Sequence, residues 1–259
     1  MAHEIKWNSN HPGHIVYLID LSGSMKNKIN DVIHVMTEAF DNIIGRCQTL
    51  SGEVKERVSV SLYGYNYRTY PLLRKTPISI NELSNLMYES EKNEAPLFNA
   101  TTEYQTIMQD AFETAKEDIK TWIGKQENEG KKDIPSPIVI NITDGYPYEG
   151  PEKDQETVFA ETLKKARELT SLTTADGNIR LFNIHFDPET MDKTLRFPVQ
   201  RPEERALQFL YDASSPMEPD LIDLAKRYFP EANLNSKCMI SNEKELENVF
   251  QFIDWGSSK

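Results

Sequence analysis

The chain has 259 residues, 38% of them apolar and 27% charged, which suits one large α/β domain or two small ones and excludes a disordered chain. Its 41 acidic residues outnumber 29 basic ones, for a formal net charge of −12; that field disfavours nucleic acid and anionic membranes as partners, and also keeps a protein soluble. Only Cys47 and Cys238 are present, the polar first residues contain no leader-like apolar run, and the longest apolar stretch, 15–19, is far too short to cross a bilayer, so the sequence reads as cytoplasmic with free thiols.

Taken in chain order, the run HIVYLID at 14–20 is apolar until its last residue and predicts a strand covered on both faces. A polar loop follows. Ile29, Val32, Ile33, Met36, Phe40, Ile43 and Ile44 then recur at steps of three and four, the stripe of a helix that also contains Cys47. Alternation over 57–73 around Gly64 and Asn66 predicts a hairpin at the antiparallel edge of the sheet. A short helix is expected at 81–88, and a long one at 103–124 carrying Tyr104, Ile107, Met108, Ala111, Phe112, Ala115, Ile119 and Trp122. Buried strands at 137–144 and 179–187 flank a helix at 154–172. Helices at 203–211 and 219–229, a strand at 237–242 and a helix at 243–254 complete the chain. Strands alternating with helices imply βαβ units. The expectation is a three-layer, Rossmann-like open sheet, mainly parallel with one antiparallel edge strand and helices on both faces, forming one domain over 1–259 with its core at about 12–255.

In an open α/β sheet, ligands bind where loops leave the carboxyl ends of the strands. Two predicted strands end there in acidic loops. The first continues as Asp20-Leu21-Ser22-Gly23-Ser24, whose alternate residues can aim three oxygens at one point, with Gly23 easing a tight turn. The second ends in Thr143-Asp144-Gly145, also read as a sharp turn. Both loops supply oxygen and neither supplies His or Cys, a donor set that selects Mg²⁺, Mn²⁺ or Ca²⁺ over Zn²⁺. The two strands must be neighbours if one ion is to reach both loops.

HIVYLIDLSGSM resembles the first strand and D-x-S-x-S signature of von Willebrand factor A (vWA) domains, and VINITDGYP resembles their later strand and T-D-G turn. The resemblance covers nearly the whole chain. It implies a metal ion-dependent adhesion site (MIDAS) in which Ser22, Ser24 and a threonine bind the metal, here Mg²⁺ or else Mn²⁺ or Ca²⁺, while Asp20 and Asp144 support it. The family's threonine follows two glycines. Here the loop reads Asn99-Ala100-Thr101-Thr102-Glu103, and the stripe of the following helix selects Thr102, with Thr101 as the alternative. The resemblance further implies a protein partner that contributes an Asp or Glu to the metal. The segments LYDASSPMEPDLIDLAKRYF and KCMISNEKELENVFQFIDWGS are similar to the C-terminal part of stand-alone bacterial vWA proteins, often encoded beside metal-dependent phosphatases, kinases or tellurite-resistance proteins.

Competing readings exist for each feature. Asp20, Ser22 and Ser24 could serve only as cap and loop hydrogen bonders. Asp187-Pro188 reads as the start of a turn and His185 as a core histidine; His34 has no partner at ligand spacing. Tyr146 and Tyr148 either anchor a partner or pack on loops. Trp7, Trp122 and Trp255 read as packing residues, and Glu89-Ser90-Glu91 as solvated surface. Against a Mg²⁺-dependent phosphoryl-transfer or hydrolytic enzyme, Asp20 has no carboxylate two residues on and no G-x-x-x-x-G-K-[ST] loop is present. A metal that only braces three loops is the remaining alternative.

Overall fold

A computed structural model describes residues 3–257; residues 1, 2, 258 and 259, the ends of the expected 1–259 span, lie outside the described residues. β1 (Gly13–Asp20) is buried at every position, as its unbroken apolar run requires of a central strand. A single 3₁₀ turn, Gly23–Asn27, leads into α1 (Ile29–Cys47). Then come β2 (Val58–Tyr65), β3 (Thr69–Pro71), β4 (Ile78–Ser79) and α2 (Ile80–Lys92), whose start is fixed by a capping box between Ser79 and Glu82. α3 (Met108–Asn128), β5 (Ile138–Thr143) and α4 (Gln155–Thr170), capped by Asp154, follow. The last part contains β6 (Thr173–Thr174), β7 (Gly177–Asn178), β8 (Arg180–Phe186), β9 (Leu195–Arg196), α5 (Arg205–Ala213), α6 (Pro219–Tyr228), β10 (Met239–Glu243) and α7 (Leu246–Gly256).

The main sheet has the order β3-β2-β1-β5-β8-β10-β9, with β4 also paired to β2. β2, β1, β5, β8 and β10 run parallel. The expected single antiparallel edge strand is β3, but the opposite edge, β9, is antiparallel as well, and so is β4. The two-residue lengths of β4 and β9 leave too little alternation to be seen in a sequence.

Side chains alternate across the sheet and divide the core in two. Ile15, Tyr17 and Ile19 of β1 face α1, α2, α6 and α7, while Val16 and Leu18 face α3, α4 and α5. These are the three expected layers. Each Leu or Ile removed from water contributes about 1.5–3 kcal/mol. Trp122 and Trp255 are buried, and Trp7 lies across Gly13, where an added Cβ would sit 2.1 Å from the indole ring.

The helix expected from 103 starts instead at Met108. Residues 103–107 are held out of helix by tertiary backbone bonds: Glu103 N–H donates to Leu21 O at 2.8 Å, Thr106 exchanges bonds with Tyr148, and Ile107 N–H donates to Asn66 O at 2.8 Å. Tyr104, expected on the apolar stripe, is 94% exposed.

Candidate metal centre

β1 and β5 lie side by side and parallel, with Ile19 opposite Ile142, so the loops that follow Asp20 and Thr143 leave the same end of the sheet together. Asp20 is fully buried. One of its oxygens accepts the Ser22 N–H at 2.8 Å and the other accepts the Thr143 hydroxyl at 2.6 Å. Ser22 Oγ lies 3.1 Å from Ser24 Oγ, and Ser24 Oγ donates to Asp144 Oδ1 at 2.8 Å. Four of the five expected residues, Asp20, Ser22, Ser24 and Asp144, thus stand in one hydrogen-bonded chain.

Thr102 is brought alongside by its neighbour. Glu103 pairs with Ser22 as a parallel bridge, which sets the 99–105 loop against Asp20-Leu21-Ser22-Gly23-Ser24. Among the described residues, no hydrogen bond joins the Thr102 side chain to the other four. Thr102 is half-buried while Thr101 is exposed. The helical stripe that selected Thr102 does not exist at that point, so its choice over Thr101 rests on this burial difference and on the bridge. The loops do turn tightly at Gly23, in the 3₁₀ turn, and at Gly145, but neither glycine has positive φ, and an added Cβ on Gly23 would meet nothing closer than 3.8 Å. Their turns need no glycine on conformational grounds.

Two residues of the site were not singled out by their sequence. Thr143 supports Asp20, and its Oγ1 also accepts the Gly145 N–H at 3.1 Å, so it fixes both the acid and the turn beyond it. Lys28 reaches Asp144 Oδ2 at 2.7 Å and Asp187 Oδ1 at 3.1 Å. For Thr143 the signal was available, since the residue preceding Asp144 is a threonine at the end of an apolar strand. Lys28 gave none, because a lysine before a helix looks like solvated surface. Asp187 does begin a turn, its carbonyl accepting the Thr190 N–H at 3.3 Å, and through Lys28 it also borders the site.

Burial pushes the Asp20 carboxyl up to about 7, with the neighbouring Asp144 charge adding to the rise and the Thr143 and Ser22 hydrogen bonds opposing it. Burial alone would lower the Lys28 ammonium, but its bonds to Asp144 and Asp187 raise it overall. His185 is the satisfied core histidine expected: Nδ1 accepts the Asn242 N–H at 3.1 Å, and burial holds the ring below its ordinary value. His34 is an exposed partner of Glu38.

Tyrosines line the rim. Tyr104 has its Cδ1 3.9 Å from where a Cβ on Gly23 would be. Tyr146, 44% exposed, stands edge-on to Phe159, and Tyr148, 37% exposed, is held through its backbone by Thr106. Tyr146 therefore packs on α4 rather than on a loop, Tyr148 is fixed at its backbone, and both keep an open face.

The donors are all hard oxygens. Two carboxylates, Asp144 and Asp187, share one ammonium, Lys28, and the fully buried Asp20 beside Asp144 is met only by neutral donors. That excess of negative charge fits a divalent cation. Among the described residues, no group of three or more His, Cys, Asp or Glu is arranged to hold a metal, so hydroxyls would have to complete the ligand set.

No family model matches the sequence, and no curated protein is significantly similar to it. Solved structures do resemble it. The pilus adhesin SpaC of Lactobacillus rhamnosus GG, in its open conformation, is 13% identical over 96% of this chain and 30% of its own, with a TM-score of 0.55. A von Willebrand factor type A protein from Catenulispora acidiphila is 13% identical over 69% of this chain and 34% of its own, with a TM-score of 0.46. The manganese-loaded TRAP protein of Plasmodium vivax is 18% identical over 69% and 59%, with a TM-score of 0.42. This chain spans less than two thirds of each of those chains. At 13% identity, the likeness to the pilus adhesin speaks for the fold alone. The strand order, the helices on both faces and the acidic loops at one sheet end define a vWA-like α/β fold. Among the described residues, no helix is long and apolar enough to cross a membrane.

Proposed function

We propose that this chain is a binding module that holds Mg²⁺, or else Mn²⁺ or Ca²⁺, on Ser22, Ser24 and Thr102 with support from Asp20 and Asp144, and through it takes an Asp or Glu side chain of a partner protein. The observation that carries this reading is the hydrogen-bonded chain Asp20–Ser22–Ser24–Asp144, whose buried acid lacks a cationic partner. When bound, the ion supplies an open position that attracts an anionic oxygen. Thr143 and the Ser22 N–H hold the Asp20 carboxylate in place, so it stays pre-oriented. The exposed Tyr104, Tyr146 and Tyr148 offer rigid, amphipathic contact area around the entrance. An acidic partner approaching a chain of net charge −12 is repelled at long range, and only a cation at the contact point reverses that locally.

Catalysis by an aspartyl nucleophile is the less favoured reading. The Asp20 side chain is fully buried and each of its oxygens already accepts a hydrogen bond, a poor placement for attack on a substrate. We assign the chain to a reducing, cytoplasmic compartment, consistent with two buried free thiols. The C-terminal resemblance favours a bacterial phosphatase, kinase or stress-response operon as its setting, with the chain acting as one unit.

The test is calorimetric titration with Mn²⁺ of wild type, Asp20→Ala and Ser22→Ala, followed by partner capture from the native host with and without EDTA. Both variants should remain folded and lose metal affinity, and EDTA should abolish capture by the wild type. Phosphoester hydrolysis that disappears in Asp20→Ala would establish the enzyme instead. Unchanged capture in both variants, with metal loss confirmed, would leave the ion a brace.

A further inference from the structure

Lys28 stands where electrostatics disfavours a lysine. It directly precedes Ile29, the first residue of α1, so its charge lies at the positive end of the helix dipole. Its side chain is only 11% exposed, so the aliphatic stem is packed and the ammonium has a fixed destination. That destination is two carboxylates from different loops, Asp144 Oδ2 at 2.7 Å and Asp187 Oδ1 at 3.1 Å. The other oxygen of Asp144 accepts the Ser24 hydroxyl at 2.8 Å. A single carboxylate is therefore shared between a hydroxyl of the metal centre and a cation that belongs to the chain itself.

Two cations drawing on one carboxylate in a poorly solvated place oppose each other, both by direct repulsion and by dividing the same negative charge. We propose that Lys28 is a tethered competitor of the divalent ion for Asp144, and so sets the affinity of the site, while Asp187 is the second anchor that draws the ammonium away. The proposal rests on the metal-site reading above. Lys28 acts through Asp144 and is a positioning residue. Its consequence is a centre whose occupancy follows the free concentration of the cation rather than being permanently filled.

The alternative is a brace, in which the Lys28 bridge merely holds Asp144 in place. The two ideas predict different signs. Under competition, Lys28→Met removes the rival charge and tightens Mn²⁺ binding by about tenfold or more, whereas Asp187→Asn frees the ammonium for Asp144 and weakens it. As a brace, both variants break the same bridge and both weaken binding. Mn²⁺ affinity is read by calorimetry and by the electron paramagnetic resonance signal of free Mn²⁺, with Ser22→Ala as a control on the site itself. A second measurement uses the wild type alone: amine-reactive labelling of Lys28, followed by mass spectrometry, should speed up when Mn²⁺ is added, because the ion takes Asp144 from the ammonium. Weaker binding in Lys28→Met overturns the proposal. If that variant does not fold, labelling that slows or stays the same with Mn²⁺ overturns it equally. Failure of the wild type to bind Mn²⁺ at all would instead sink the metal reading.

Discussion

Thr143 offers the sharpest perturbation of the site, because it can be altered without changing volume. Its hydroxyl donates at 2.6 Å to the buried Asp20 carboxylate and accepts the Gly145 N–H at 3.1 Å. Thr143→Val replaces that hydroxyl by a methyl of similar size, so no cavity opens and the cost is that of the two lost bonds, the one to the buried acid being the larger. A hydrogen bond to a buried charged group is worth about 1.5–3 kcal/mol. The variant should therefore lose about 2 kcal/mol, a fall of about 4–8 °C in melting temperature for a domain of this size. Because the lost bond orients Asp20, Mn²⁺ affinity should also drop by about 10- to 100-fold, the usual effect of removing a group that supports a metal site. Thr143→Ser, which keeps the hydroxyl, should restore most of both. Thermal denaturation in EDTA measures the first effect and calorimetric Mn²⁺ titration the second. A Thr143→Val protein that melts and binds Mn²⁺ like the wild type would refute the idea that Thr143 holds the acid in place.

Thr102→Ala should weaken Mn²⁺ binding by about tenfold while Thr101→Ala leaves it unchanged, since Thr102 is the half-buried one beside the bridge to Ser22; the reverse result would transfer the ligand to Thr101. His185 supplies a pH dependence. The folded chain holds this buried ring below its ordinary value, whereas the unfolded chain takes up a proton near 6.5, so stability should be full above that pH and decline as pH falls below it. His185→Gln should flatten the urea midpoint between pH 7 and pH 5, and a slope equal to the wild type's would assign the acid sensitivity to other groups.

The frame of the molecule was legible because burial writes itself into sequence. β1 contains the apolar run 15–19, β5 is apolar but for Asn141 and Thr143, and the stripes of α1 and α4 recur at helical spacing, so their places and neighbours followed. The meeting of both acidic strand ends at one end of the sheet followed too, because parallel neighbouring strands finish on the same side. What stayed hidden depended on contacts distant in sequence. Tyr104 and Ile107 happen to fall in phase with the helix after them, yet backbone bonds to Leu21 and Asn66 hold this stretch out of helix and postpone α3 to Met108. Lys28 and Asp187 are 159 residues apart, and only the fold makes them partners. Nothing local in a glycine reports its φ: Gly23 and Gly145 do sit in the tight turns expected of them, but neither turn uses the positive φ that only glycine adopts freely.

The main sheet is blunt at both sides. On one side lies β3, three residues ending in Pro71, which has no N–H to donate; on the other lies β9, only two residues long. An extended peptide arriving at either side would find too few free amides and carbonyls to add itself as a further strand. The same bluntness keeps copies from zipping side by side into ribbons, a hazard for any chain built on a wide sheet. Association is thereby directed away from the backbone of the sheet and toward the loops at its end and the outer surfaces of the helices, where side chains rather than main-chain ladders select the partner.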